Sequence, residues 1–266
     1  MSSIFHWQFD PILFSLGGIS LHWYGLLFAT AFIIGYWMVK RMGEHEGQTH
    51  LDWDNLLFYI MGGTLTGARL VHCFLYDPAF YLSHPLAILK IWEGGLASHG
   101  GALGLLLGLW LYSRRYRLPS LLWLTDRIAI PAALGGMLVR CANFLNSEIV
   151  GKPTDGSWGL VFDAVDAVPR HPVQLYEATA YLVIFLLLLA VYRRYGRHTP
   201  HGLLTGIFFA SVFLARFGLE YFKTAQAAYE TGFSVSVGQW LSVPFFVVGV
   251  GLVVYALRSP RQVMGR

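Results

Sequence analysis

Stretches free of charged residues run from 11 to 39, 94 to 113 and 231 to 257, and each exceeds the roughly 20 residues that carry a helix across about 30 Å of hydrocarbon. Four further segments are nearly as apolar but carry isolated ionisable groups: 55 to 76 with Arg69, 128 to 147 with Arg140, 171 to 192 with Glu177, and 198 to 222 with Arg216 and Glu220. The pattern predicts an all-α, polytopic integral membrane protein with seven transmembrane helices. With no long linker, low-complexity tract or fixed-period repeat, residues 1–266 read as a single membrane-embedded domain.

Composition agrees with this. Of 266 residues, 55% are hydrophobic and 13% charged, against roughly 25% charged in soluble domains. The N-terminus lacks a basic leader and the first apolar run ends in KRMGEHEG, so it reads as a retained span rather than a signal peptide. Cys73 and Cys141 form no ligand or redox pattern and read as small packing residues.

Short cytoplasmic loops collect Lys and Arg, and the bias here is strong. One side holds Lys40, Arg41, Arg114, Arg115, Arg117, Arg193, Arg194, Arg197, Arg258, Arg261 and Arg266; the other holds Lys90, Lys152, Arg170 and Lys223. The N-terminus is therefore expected to be periplasmic and the C-terminus cytoplasmic. The net charge of +4 follows from that orientation and gives no support for nucleic-acid binding.

Arg127, beside Asp126 at the inner start of the fourth span, is expected to snorkel. Arg69, Arg140 and Arg216 are costlier, on the order of 2.5 to 3.5 kcal/mol each near a helix centre, and must be paired, wet or functional. Traced through alternating spans, they fall in the outer half of the membrane with His72, Asn143, Asn146, Glu148 and Glu220. The inward spans open there too, with His22, Trp23 and Tyr24, with Ser98 and His99, and with Arg170, His171, Gln174, Tyr176 and Glu177. This distribution predicts one buried polar site facing the outer leaflet.

In VRCANFLNSE, Arg140 and Asn143 share a helix face, while Asn146 and Glu148 fall at the helix end or in the following loop. A guanidinium flanked by amides suits a phosphate or carboxylate; the alternative is an ion pair, to Glu148 or between helices. Arg216 and Glu220 are spaced i, i+4, so they either neutralise each other or, with Glu220 orienting Arg216, clamp an anion from a second side. Glu177 is either a counter-ion or a substrate contact. His99 precedes glycines 100, 104 and 108, a register for close helix packing; it is a satisfied polar residue or a proton acceptor. Trp23 and Tyr24 suit an aromatic belt, Pro172 suits the first helical position, and FYLSHPLAILKIW suits a helix lying in the interface. The chain carries no HExxH, paired-Asp metal site, P-loop or GxSxG elbow, so no metal or cofactor is expected.

LHWYG, GARL, WEGGLASHGG, VRCANFLNSEIVG, PRHPVQLYE, ARFGLEYFK and SVGQWLSVP, in this order, resemble the bacterial prolipoprotein diacylglyceryl transferase family over almost the whole chain. The resemblance implies an inner-membrane enzyme that moves the diacylglyceryl group of phosphatidylglycerol to the lipobox cysteine of a prolipoprotein signal peptide, releasing glycerol phosphate. It implies that Arg140 binds the headgroup, with Asn143, Asn146, Glu148 and Gly151 completing its motif. It further implies that His99 is the base and that Arg216, Glu220 and Tyr24 belong to the site. Val139 and Ala142 stand where the family pattern has glycine, and Val212 where a tyrosine is frequent. A membrane transporter or lipid-binding scaffold is the competing class, although repeated halves and a midplane site, common in transporters, are not evident.

Overall fold

A computed structural model describes residues 4–17, 19–91, 94–116, 118, 120–224 and 236–259. Arg117, Arg261, Arg266, the Trp-Glu pair at 92–93 and the start of the expected seventh span, 231–235, lie outside the described residues. The chain forms two compact units, residues 1–46 with 125–266, and residues 47–124.

The first unit opens with β1 (Phe5–Trp7), β2 (Ile12–Leu16) and β3 (Ile19–His22), followed by α1 (Trp23–His45). The first helix thus starts twelve residues later than the beginning of the apolar run at 11, because β2 and β3 pair as an antiparallel hairpin. Gly17, with φ of +57°, takes a left-handed conformation at the turn that favours glycine. An apolar run alone does not separate a strand from a helix. At its other end α1 continues past Lys40, whose ammonium lies over the rings of Tyr36 and Trp37.

From Thr125 the first unit continues with the rest of α5 (Leu121–Leu145), then β4 (Leu160–Phe162), β5 (Pro169–Arg170), α6 (Val173–Tyr195), α7 (Leu203–Leu219) and α8 (Val237–Arg258). Strand β1 pairs in parallel with β4, which pairs antiparallel with β5. Trp7 donates to the Phe144 carbonyl at 3.2 Å and packs on its ring, tying this small sheet to the end of α5. Pro172 sits one position before the first helical residue of α6 rather than at it.

Arg127 does not snorkel. It is fully buried, with Nη2 at 2.7 Å from Glu46 Oε2 and Nε sharing both carboxylate oxygens; the Tyr192 hydroxyl donates to the same carboxylate. The partner was invisible in sequence because it lies 81 residues away. Asp126, also buried, accepts from the Gly202 and Thr205 amides and from the Thr205 hydroxyl, so it caps the start of α7, where helix amides have no partner of their own.

The second unit contains α2 (Trp53–Val71), α3 (Pro78–Ser83) and α4 (Ser98–Tyr116). Asp52 caps α2 by accepting from the Asn55 amide. The small-residue register on α4 finds its match on α2: a Cβ on Gly104 would lie 2.0 Å from the Gly63 carbonyl oxygen, and one on Gly100 2.3 Å from that of Gly67. The two backbones touch, as small-xxx-small packing allows.

Arg69 is satisfied without a carboxylate among the described residues. Its guanidinium donates to the carbonyls of Ala87, Ile88, Lys90, Gly94 and Gly95 and lies over the Tyr81 ring. It therefore folds the segment after a π-helical turn at His72–Tyr76 back onto α2. That segment, α3 followed by a 3₁₀ turn at Pro85–Leu89, exposes Leu82, Leu86 and Leu89, the apolar face expected of an interfacial arm.

Among the described residues, five helices are long and apolar enough to cross a membrane: α1, α5, α6, α7 and α8. The protein is thus a mostly helical, polytopic membrane protein. Helices α2 and α4 have 19 residues each but are diluted by glycine and by charged residues near their ends.

Candidate functional site

The site is built where α5 ends. Arg140 lies on its last turns, and the helix closes with Glu148 donating its amide to the Asn143 carbonyl at 2.9 Å. Ser147 and Ile149 take positive φ of 55° and 54°, uncommon for residues with a Cβ and frequent at functional sites. This turn brings the Glu148 carboxylate back to the helix end. There it accepts from Asn143 Nδ2 at 3.0 Å and Asn146 Nδ2 at 3.3 Å, while the Asn143 amide oxygen accepts from Arg140 Nη1 at 3.3 Å. Gln174 donates to the Glu148 carbonyl.

The ion-pair partner of Arg140 comes from α6. Its Nε lies 3.0 Å from Glu177 Oε2, and the other oxygen of that carboxylate lies 2.7 Å from Lys223 Nζ. Lys223 is also 3.5 Å from Glu220 Oε2. Arg140, Glu177, Lys223 and Glu220 therefore form one alternating chain of charges, largely shielded from water. Glu177 is a counter-ion rather than a free carboxylate.

Arg216 and Glu220 do not neutralise each other. Helix α7 stops at Leu219 and Glu220 begins a 3₁₀ turn, which turns its carboxylate to Lys223 and to the start of α8. A Cβ on Gly238 would lie 2.6 Å from Glu220 Oε1, so the glycine of SVGQW is the space that the carboxylate fills. Arg216 has no carboxylate within 4.0 Å among the described residues and is exposed. It shares a cleft with Arg140, Glu177, Tyr181 and Val212, whose enclosed part measures about 20 Å³, room for about one water.

Gly151 is a backbone contact. Its amide donates to the His171 carbonyl, a Cβ there would lie 2.4 Å from that oxygen, and it forms an isolated antiparallel bridge with Lys223. Tyr24 stays in the first turn of α1, stacked on Phe28, with no hydrogen bond to the charge chain among the described residues. His99, exposed in the first turn of α4, belongs to the second unit and is described with it.

Sequence reasoning missed Lys223, counted as an ordinary outer-loop cation, and Tyr181, which lines the cleft. For Tyr181 the available signal was Gly136, one turn before Arg140, where a Cβ would lie 2.7 Å from the tyrosine ring. The buried Glu177 Oε2 and Glu220 Oε2 face the cations Arg140 and Lys223, and two buried amide oxygens of this region, Asn146 Oδ1 and Gln174 Oε1, have no hydrogen-bond donor among the described residues. Such acceptors are rare in folded proteins and suit hydroxyl groups of a ligand or water.

A family model described as prolipoprotein diacylglyceryl transferase matches residues 11–255. A phosphatidylglycerol-prolipoprotein diacylglyceryl transferase of Tolumonas auensis is 54% identical over 95% of this chain and 98% of its own length. Proteins of the same name from Chloroherpeton thalassium and Porphyromonas gingivalis are 48% and 43% identical, over 97% and 96% of this chain and 96% and 95% of their own. With matches of this length and identity, the chain belongs to the prolipoprotein diacylglyceryl transferase family.

Proposed function

We propose that this protein transfers the diacylglyceryl group of phosphatidylglycerol to the thiol of a prolipoprotein lipobox cysteine and releases glycerol phosphate. It acts as a single membrane-embedded transferase in the bacterial inner membrane. Seven spans, with α2 and α4 completing the count, put the N-terminus in the periplasm, the C-terminus in the cytoplasm and the site at the periplasmic leaflet. The relatives' names supply the substrates; the charge asymmetry of the loops supplies the orientation.

The observation that carries the reading is the pairing, in one cleft, of a half-buried Arg140 held by Glu177 and Asn143 with an exposed Arg216 that has no carboxylate partner among the described residues. A guanidinium oriented by its own neighbours is pre-organised for an anion, because little motion remains to be lost on binding. Arg216, Arg140 and Lys223 balance Glu148, Glu177 and Glu220, so the pull on a phosphodiester comes from Arg216, the cation without a carboxylate partner among the described residues. The orphaned acceptors suit the headgroup's glycerol hydroxyls.

In the reaction, His99 accepts the proton of the lipobox thiol, whose ordinary pKa near 8.5 leaves it mostly protonated at neutral pH. The thiolate attacks the glycerol carbon that bears the phosphate ester. The new carbon–sulfur bond forms as the carbon–oxygen bond breaks, and the electron pair leaves with glycerol phosphate. Arg140 and Arg216 stabilise the charge developing on that leaving group, and the proton on His99 then returns to solvent or product.

The test is the mass of a lipobox peptide incubated with the purified protein and phosphatidylglycerol. The expected result is a gain of one diacylglyceryl unit that needs the cysteine; no gain with an inserted, monodisperse protein would contradict the reading. His99→Gln is expected to lower the transfer rate by about 10²- to 10⁴-fold, the usual contribution of a positioned base.

A further inference from the structure

We infer that Lys223 is a positioning residue for headgroup binding: it holds Glu177 at a distance from full neutralisation of Arg140 and so keeps the guanidinium available to the phosphate. This rests on the proposed role of Arg140. Lys223 is 7% exposed, and its ammonium sits between Glu177 Oε1 at 2.7 Å and Glu220 Oε2 at 3.5 Å. With both neighbours anionic, it is turned towards carboxylates rather than towards a substrate.

The fold fixes Lys223 from three directions. Its backbone bridges Gly151, at the end of the stretch that began with Arg140. Beside that bridge, Lys152 donates its amide to the Phe222 carbonyl at 2.8 Å and its ammonium to the Tyr221 carbonyl at 2.7 Å, and the Thr224 hydroxyl donates to the Val150 carbonyl. Glu220, which shares the ammonium, is held in the gap left by Gly238. The path from Arg140 along the chain to Gly151, across to Lys223, and through Glu177 back to Arg140 is therefore closed. The absence of a Cβ at 151 matters on the side of α6, where one would lie 2.4 Å from the His171 carbonyl oxygen and 2.6 Å from Val173 Cγ2.

The electrostatic consequence is specific. Glu177 divides its two oxygens between two cations, so neither owns the full negative charge. Without Lys223, Glu177 would be a one-to-one counter-ion of Arg140, and the net charge of the group, Glu148 included, would fall from 0 to −1. Both changes weaken attraction for an anionic headgroup, most strongly in the low dielectric of the site. Removing Glu177 together with Lys223 restores the net charge to 0. A residue that merely braced the fold would not follow this charge count.

The experiment measures KM for phosphatidylglycerol and kcat with a lipobox peptide in the wild-type protein, Lys223→Met, Lys223→Arg and the Lys223→Met/Glu177→Gln double variant. Lys223→Met is expected to raise KM by roughly tenfold or more with kcat within about threefold of wild type, Lys223→Arg to return KM to within about threefold, and the double variant to recover only part of the loss, because it also removes the carboxylate that orients Arg140. An unchanged KM in Lys223→Met, or a double variant no better than the single, would overturn the inference. If Lys223→Met does not fold, Lys223→Gln replaces it; failure of both to fold, with Lys223→Arg folded, would make the lysine structural and overturn it as well. A wild-type protein without turnover would instead strike the proposed reaction, so the two failures are distinguishable.

Discussion

Arg140 Nε lies 3.0 Å from Glu177 Oε2, and the opposite oxygen of that carboxylate belongs to Lys223. Breaking a largely buried ion pair from one side leaves an uncompensated charge, at a cost of up to about 3 to 5 kcal/mol. Arg140 keeps some exposure, so the cost here is set lower. Glu177→Gln is expected to destabilise the protein by about 1 to 3 kcal/mol, and adding Lys223→Met is expected to recover part of that loss. Thermal unfolding in detergent checks this as a double-mutant cycle, with a coupling above about 0.5 kcal/mol marking the contact.

At the far end of α5, Arg127 and Glu46 are both fully buried, and the Tyr192 hydroxyl depends on the same carboxylate. Arg127→Met is expected to cost about 3 to 5 kcal/mol, because it strands Glu46. The Arg127→Met/Glu46→Gln pair is expected to be milder. Melting temperatures of the two variants decide it, and because this cluster is remote from Arg140 along α5, KM for lipid should stay unchanged in whatever fraction folds.

Outside the spans, the hydrogen bonds from the Arg170 guanidinium hold the Asp166 carboxyl below the usual carboxylate range, and the carboxylate in turn raises Arg170. A carboxyl depressed in the folded state binds fewer protons there than when unfolded, so its contribution is fully present above the ordinary pKa near 3.9. It is lost as pH falls through the lower folded value. Arg170 also donates to the Gly151 carbonyl, which links this pair to the site. Pepsin cleavage within residues 151–170 is expected to stay slow at pH 5 and to accelerate below about pH 4, and Asp166→Asn is expected to cleave quickly at both values.

A Cβ at Gly104 would collide with the backbone of Gly63, and backbone cannot yield as a flexible side chain can. Gly104→Val is therefore expected to separate α2 from α4 and to lower the yield of folded protein by severalfold, while Gly62→Ala, with nothing within 4 Å of the new methyl, is expected to be neutral within about 0.5 kcal/mol. Size-exclusion profiles after mild extraction distinguish the two.

Local spacing made part of this arrangement legible. Arg140 and Asn143 do share a face and a hydrogen bond, Asn146 and Glu148 do lie past the helix end, and the glycines of α4 do meet a helix. What stayed hidden depended on residues far apart in the chain. Lys223 looks like a loop cation until Glu177, 46 positions earlier, is brought against it by the Gly151 bridge. Arg69 resembles Arg140 in sequence, yet carbonyls of its own following loop satisfy it. The hairpin before α1 was masked because its strands are as apolar as a span and largely exposed.

The most direct test of the account is the rate of diacylglyceryl transfer by Arg140→Ala, measured with phosphatidylglycerol and a lipobox peptide on protein that inserts and elutes as wild type does. Loss of transfer by about 10²- to 10³-fold, the scale for removing one donor that stabilises developing charge, is the predicted result. Turnover retained within a few-fold of wild type would contradict it, because the guanidinium that Glu177 and Asn143 hold in place would then not be what binds the headgroup.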